Sequence, residues 1–219
     1  MIKAILWDFD GVIADSVNVK TEAFYEMYLP YGVEIAEKVK QYHLLNGGVS
    51  RFKKFEYFQT VFLGQSPPVP NDVIESLANV FSQTVLNRVI NAPYIKGVQA
   101  TLEKYSKLVE NFIVSGTPES EMKTIIKRRN LDTYFINIYG SPKDKKQLTD
   151  EIINTYGYHP KEMIFIGDAL SDFEAAKCRG LYFILRRHPD NRELFENYDS
   201  FSINDFTTFD SIFNEISKL

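Results

Sequence analysis

Residues Asp8-Phe9-Asp10-Gly11-Val12-Ile13-Ala14-Asp15-Ser16 decide how this chain is read. They follow Ile2-Lys3-Ala4-Ile5-Leu6-Trp7, a largely apolar run short enough to be a buried strand. Two carboxylates one residue apart stand where that strand ends and Gly11 lets the chain turn. Like charges that close resist joint ionisation unless a cation or a ligand compensates them. Side chains alternate along a strand, so Asp8 and Asp10 would point to the same side if the strand reached Asp10. Such a pair suits a nucleophile beside an acid/base, with a hard divalent cation balancing the charge.

Beyond that turn the periodicity becomes helical. The spacing predicts a helix over 17–29 that ends near Pro30, and a second over 35–45 broken by Asn46-Gly47-Gly48. Ser50 is placed to cap a third, which runs to about Leu63. Within it Phe52, Phe55 and Phe58 recur at helical spacing, so this basic and aromatic stretch reads as a packing face rather than a nucleic-acid platform. After the loop Gln65-Ser66-Pro67-Pro68-Val69-Pro70, Asn71 or Asp72 is placed to cap a long helix reaching about Val89.

From Ala92 onward, strands predicted at 112–114, 135–139, 163–166 and 181–185 alternate with helices at 119–129, 145–156 and 210–216. Asp144 and Gln147 offer a capping box to the helix that starts at Lys145. Alternation of this kind implies right-handed βαβ crossovers and a parallel sheet covered on both faces. The expected organisation is an α/β core domain from 1–15 and 90–219, with an all-helical domain from 16–89 inserted in it.

Ligands of an open parallel sheet bind beyond the carboxyl ends of its strands. Four such ends carry polar groups: Asp8 and Asp10; Ser115-Gly116-Thr117; Gly140-Ser141-Pro142 with Lys143, Lys145 and Lys146; and Gly167-Asp168-Ala169-Leu170-Ser171-Asp172. Each alone has a plain reading, Ser115 as a helix cap or Lys145 as a solvated charge. In this order they resemble the four motifs of the haloacid-dehalogenase (HAD) superfamily, whose commonest activity is Mg-dependent phosphate-ester hydrolysis. Asp8 to Val12 match its Asp-x-Asp-Gly-Val motif fully, and the resemblance covers almost the whole chain. It implies a HAD-like Rossmannoid α/β core, a parallel sheet flanked by helices, with a small helical C1 cap, as in phosphoglycolate-phosphatase-like members.

The resemblance also implies roles. Asp8 would attack phosphorus and carry an aspartyl-phosphate. Asp10 would protonate the leaving alkoxide and then activate water. Ser115 and the Gly116 amide would hold the phosphoryl oxygens, and a lysine would neutralise them. The family spacing Gly-Ser-Pro-x-x-Lys selects Lys145, although Lys143 lies nearer the strand end and could also reach. Mg2+ would take a carboxylate oxygen of Asp8, the backbone carbonyl of Asp10 and the carboxylate of Asp168, with Asp172 behind them as partner of the lysine. The loop Asn46-Gly47-Gly48-Val49-Ser50-Arg51 corresponds to the cap loop that faces the catalytic centre. Gly48 would permit close backbone approach, and Arg51, or alternatively Lys54, would meet a substrate anion; His43 reads as structural.

Composition narrows the partners. At 219 residues with 44% hydrophobic content the chain can bury a substantial core. A formal net charge of −4 gives no broad attraction to nucleic acid or anionic membrane. No apolar run approaches the roughly 20 residues that span a bilayer, and no N-terminal targeting signal is apparent. The single cysteine, Cys178, excludes an intramolecular disulfide and reads as a small buried residue inside a helix. The expectation is a cytoplasmic phosphomonoesterase for a small phosphorylated metabolite, a sugar phosphate or a phosphoglycolate-like acid. A sugar phosphomutase on the same core and a non-catalytic binding protein are the alternatives; dehalogenation is disfavoured by Asp10. The substrate and the oligomeric state are not readable.

Overall fold

Apolar runs with no polar alternation belong to strands buried on both faces, and the computed structural model, which describes residues 1–219, uses them so. Six strands form one parallel sheet in the order β3-β2-β1-β4-β5-β6. They are β1 (Ala4–Trp7), β2 (Glu110–Pro118), β3 (Asn137–Ser141), β4 (Met163–Gly167), β5 (Tyr182–Arg186) and β6 (Ser202–Ile203). Ile5 and Trp7 of β1 join Ile113, Ile164 and Ile166 in the core on one face. Ala4 and Leu6 join Phe112, Val114, Met163 and Phe165 on the other. The period-two alternation thus separates two cores, each covered by helices.

The core helices are α5 (Val98–Tyr105), α6 (Glu119–Arg128), α7 (Lys145–Tyr156), α8 (Leu170–Arg179) and α9 (Phe209–Ile216). The Asp144–Gln147 capping box at the start of α7 is formed in both directions. Strand β6 and helix α5, which the sequence pattern did not single out, complete the sheet edge and the return from the insert. Cys178 departs from expectation. It is exposed, because α8 buries Asp172, Ala175 and Ala176, and Cys178 falls off that stripe.

Residues between β1 and β2 include four further helices: α1 (Val17–Tyr28), α2 (Val33–Leu45), α3 (Arg51–Tyr57) and α4 (Asn71–Ile90). The winding widens to a π-turn over Phe58–Phe62 after α3. Neither expected cap forms by side chain: Ser50 Oγ is buried without a partner, and Pro70, not Asn71 or Asp72, holds the cap position of α4. Phe24, Phe55, Phe58 and Phe81 pack together and are continuous with the sheet core around Trp7. The outgoing and returning chains run side by side. Asp15 N–H donates to Pro93 O at 2.8 Å and Ile95 N–H to Ile13 O at 3.0 Å, while the Arg129 guanidinium donates to the carbonyls of Val89, Ile90 and Ala92.

The strand order puts β1 between β2 and β4, so the chain leaves β1 for the two halves of the sheet in opposite directions. That reversal opens a crevice at the carboxyl end of β1, and the insert lies over it.

Candidate active site

Asp8 follows β1 directly and its amide continues the ladder to Ile166 O at 2.9 Å, so its carboxylate sits at a rigid strand end. It is 4% exposed. Lys145, at the first turn of α7, reaches it with Nζ 2.9 Å from Oδ2 and pairs at the same time with Asp172. The structure therefore brings Lys145, not Lys143, to Asp8; Lys143 is on the surface with Glu151 and Lys146 with Glu174. Asp172 receives Lys145 on one oxygen and the Ala169 amide on the other, which leaves it a partner of the lysine.

Asp168 closes the constellation. Carboxylate oxygens of Asp8, Asp168 and Asp172 lie within 4.8 Å of one another, all buried. Gly11 is required here: its φ is +79°, and a Cβ would stand 2.0 Å from Asp168 Oδ2. Three carboxylates against one ammonium leave two negative charges in a desolvated space. Burial raises the Asp8 proton affinity well above the usual range, and although Lys145 opposes this, Asp172, Asp168 and Asp10 add to it. Burial likewise pushes Asp172 up to about 6, against Lys145. An all-oxygen donor set with a two-charge deficit fits a hard divalent cation such as Mg2+.

Asp10 has a different environment. Ser16 Oγ donates to its Oδ1 at 2.7 Å, and Lys20, one turn further along the chain, pairs with Oδ2 and donates to Thr117 Oγ1 at 2.7 Å. Burial alone would raise Asp10, but the Lys20 charge and the hydrogen bonds from Lys20 and Ser16 hold it below its ordinary value. The two aspartates are thus driven apart in proton affinity, one up and one down.

Ser115, in β2 just after its regular pairing with β3 breaks at Val114, is buried, and its Oγ accepts from the Thr117 amide at 3.1 Å. Gly116 faces the loop of the insert so closely that a Cβ would lie 2.3 Å from Gly48 O. Gly48, at φ +70°, would put a Cβ 2.3 Å from Ser171 Oγ and 2.9 Å from Lys145 Nζ, and Ser171 Oγ donates to Gly47 O at 3.0 Å. The glycines thus let backbone meet backbone directly over Lys145.

Arg51 does not have the free charge expected of it. It is buried over the Phe81 ring at 4.7 Å, and its two terminal nitrogens grip Glu121 of α6 at 2.9 and 2.7 Å, with Ser82 of α4 sharing the site. It lines the cleft while serving as a clasp between insert and sheet. Lys54, also buried, binds His43 Nδ1 at 2.8 Å.

Three participants were not singled out from sequence. Lys20 stands four residues after Ser16, so one helix face carries both partners of Asp10. His188 Nε2 lies 3.0 Å from Asp168 Oδ2, and Asn191 donates to the Asp168 backbone carbonyl at 2.8 Å. Both follow β5, so the strand-end rule applied to one more strand would have found them.

Residues 5–185 match the haloacid dehalogenase-like hydrolase family. The chain belongs to that family. A phosphoglycolate phosphatase of Photorhabdus laumondii is 23% identical over 186 residues, 82% of this chain and 77% of that protein. Phosphoglycolate phosphatase 1 of Pseudomonas aeruginosa is also 23% identical, over 82% of this chain and 67% of its own length. Among solved structures, β-phosphoglucomutase of Clostridium difficile superposes with a TM-score of 0.77 at 15% identity, covering 100% of this chain and 98% of that one. This HAD chain is an enzyme of the phosphatase type, a hydrolase of phosphoric monoesters. No helix is long and apolar enough to cross a membrane.

Proposed function

We propose that the chain hydrolyses the phosphate ester of a small phosphorylated metabolite, with Mg2+ and through an aspartyl-phosphate on Asp8. The observation that carries this reading is the Lys145 ammonium held between Asp8 and Asp172 with Asp168 beside them. Asp8 is fixed at a strand end, where its oxygen can attack phosphorus in line. Lys145, Ser115 Oγ and the Gly116 amide would bind the three phosphoryl oxygens, and such preorganised donors supply most of the catalysis in phosphoryl transfer. The carboxylates of Asp8 and Asp168 and the backbone carbonyl of Asp10 would hold Mg2+. When bound, the ion offsets the charge of the phosphoryl oxygens and of Asp8.

Asp10 starts ionised, held so by Lys20. An arriving phosphate dianion raises the proton affinity of a neighbouring carboxylate, so Asp10 can take up a proton from solvent as the ester binds and pass it to the leaving alkoxide. Ionised again, it accepts a proton from the water that attacks the aspartyl-phosphate. Residues 16–89 act as a lid, the Gly47-Gly48 backbone closing over Lys145 and excluding bulk water. The phosphoglycolate phosphatases among its relatives support a small acidic or sugar-derived ester as substrate.

A panel of phosphorylated metabolites, scored by phosphate release with Mg2+ and with a chelator, tests the proposal. Release from at least one small ester that stops with chelator and returns with Mg2+ is expected. Metal-independent release, or turnover only of a protein-bound phosphate, would contradict it.

A further inference from the structure

The loop that follows β5 carries more positive charge than the active site uses. Arg186, Arg187, His188 and Arg192 stand almost in succession. Arg186 ends β5 in register with Ile203 of β6, and the Arg187 amide donates to Ile203 O at 2.8 Å. Asn191 staples the turn: its Oδ1 accepts from the His188 amide at 3.0 Å, and its Nδ2 donates to Arg186 O at 2.9 Å. The three arginines, with His188, Asn191 and Asn204, line a cleft of about 690 Å³ where β5 and β6 end. His188 and Asn191 also line the cleft of Asp8 and Asp10, so these two side chains part the outer cleft from the active site.

Charge in the outer cleft is unbalanced. No carboxylate lines it, nor any Phe, Tyr or Trp. The acids that the loop contacts directly, Asp168 at 3.0 Å and Asp190 at 3.6 Å, face His188, and none of the three arginines forms an ion pair. Arg187 donates to Ser202 Oγ and to the carbonyls of Phe195 and Tyr198, which fixes its guanidinium without neutralising it. Arg186 Nε is buried and has no acceptor. Burial lowers the Arg186 proton affinity, and Asp168, Asp15, Asp205 and Asp190 offset this only in part. A guanidinium keeps its charge in a protein, so the deficit is left for a ligand to fill. A loop already stapled in place loses little freedom when that ligand binds.

We propose that this cleft binds a small polyphosphate anion, a short chain of linked phosphoryl groups, separately from the substrate at Asp8. Guanidinium forks match phosphoryl oxygens in pairs, and three arginines call for more than one phosphoryl group. The volume falls among those of small-molecule sites, about 300–1,000 Å³, but such sites are mostly apolar. A wall of guanidinium and amide groups instead suits a ligand charged along its whole length. Nucleic acid is a poorer match, because single strands are held by bases stacked on aromatic rings and the chain carries a net charge of −4. The site stands whether or not the phosphomonoesterase reading does.

Calorimetry on the metal-free protein in low-salt chloride buffer tests it, with tripolyphosphate, diphosphate and orthophosphate as probes. One tripolyphosphate per chain is expected, held at least about tenfold more tightly than orthophosphate and weakened by added salt. Arg186→Gln and Arg192→Gln should each cut its affinity by about tenfold, the worth of one charge-assisted contact, and the double variant by more. Lys145→Met and Ser115→Ala, which weaken the proposed phosphoryl site, should leave it unchanged. Melting temperatures confirm that each variant is folded. Binding that survives the double arginine variant but is lost in Lys145→Met or Ser115→Ala would put the anion beside Asp8 and overturn the proposal. Tripolyphosphate held no better than orthophosphate, or not held at all, would overturn it too, as would a short oligonucleotide that displaces tripolyphosphate from the same arginines.

Discussion

Arg51→Ala separates a clasp from a substrate contact. Arg51 and Glu121 side chains are 4% and 9% exposed, and their two hydrogen bonds join α3 of the insert to α6 of the sheet layer. Removing one partner of a buried pair costs roughly 3–5 kcal/mol, because the other charge is left uncompensated. Here an opening of the insert would let water reach Glu121, so the cost falls on the closed form. The lower figure, about 3 kcal/mol, is about two powers of ten in the ratio of closed to open at 1.36 kcal/mol per decade. We expect kcat/KM to fall by about a hundredfold on every ester alike, p-nitrophenyl phosphate included, and Glu121→Gln to do much the same. Steady-state kinetics on p-nitrophenyl phosphate and on an anionic metabolite ester, beside melting curves, provide the assay. A loss confined to the anionic ester, with p-nitrophenyl phosphate untouched, would refute the clasp and return Arg51 to direct substrate binding.

Three further outcomes follow from the site. Asp8→Asn should abolish turnover yet melt higher than wild type in chelator. The Asp8 proton affinity is raised in the folded state, so its ionisation costs stability as pH rises from about 3.9 upward; the gap in melting temperature should widen over that range, and a gap independent of pH would count against the argument. Asp10→Asn should slow esters with poor leaving groups, such as sugar phosphates, far more than p-nitrophenyl phosphate, whose leaving group needs little protonation; equal losses would remove Asp10 from the acid role. Gly48→Ala should lower kcat/KM by tenfold or more with little change in melting temperature, since a Cβ there meets Ser171 and Lys145 only when the insert is closed; unchanged kinetics would mean that closure does not bring Gly48 onto Lys145.

The parts of the molecule legible in sequence are those fixed by local rules. Apolar runs such as Met163-Ile164-Phe165-Ile166 could only be strands buried on both faces, and their polar ends marked the crevice. Asp144 and Gln147 announced the start of α7, which put Lys145 one turn inward while Lys143 stayed on the surface. What escaped depends on partners far along the chain. Arg51 read as a free cation because Glu121, 70 residues away, gives no local signal. Lys54 read as an alternative to Arg51 for a substrate anion, and no local signal told that the fold buries it beside His43 and Phe24. Cys178 looked buried because the helix was recognised without the register that turns it outward. The Asp168 partners His188 and Asn191 follow β5, a strand end that the sequence showed but to which the strand-end rule was not extended.

The central claim is that Asp8 forms a covalent bond to phosphorus, and trapping that bond tests it most directly. The enzyme is mixed with a turned-over ester and Mg2+, quenched in acid within one turnover, reduced with borohydride and mapped by mass spectrometry. An acyl phosphate is reduced to the alcohol, so the account predicts homoserine in place of aspartate at position 8 and at no other carboxylate. The yield should rise in Asp10→Asn, where hydrolysis of the intermediate lacks its base. Phosphate release within the same turnover with an unmodified Asp8, or reduction at Asp10 or Asp168 instead, would contradict it.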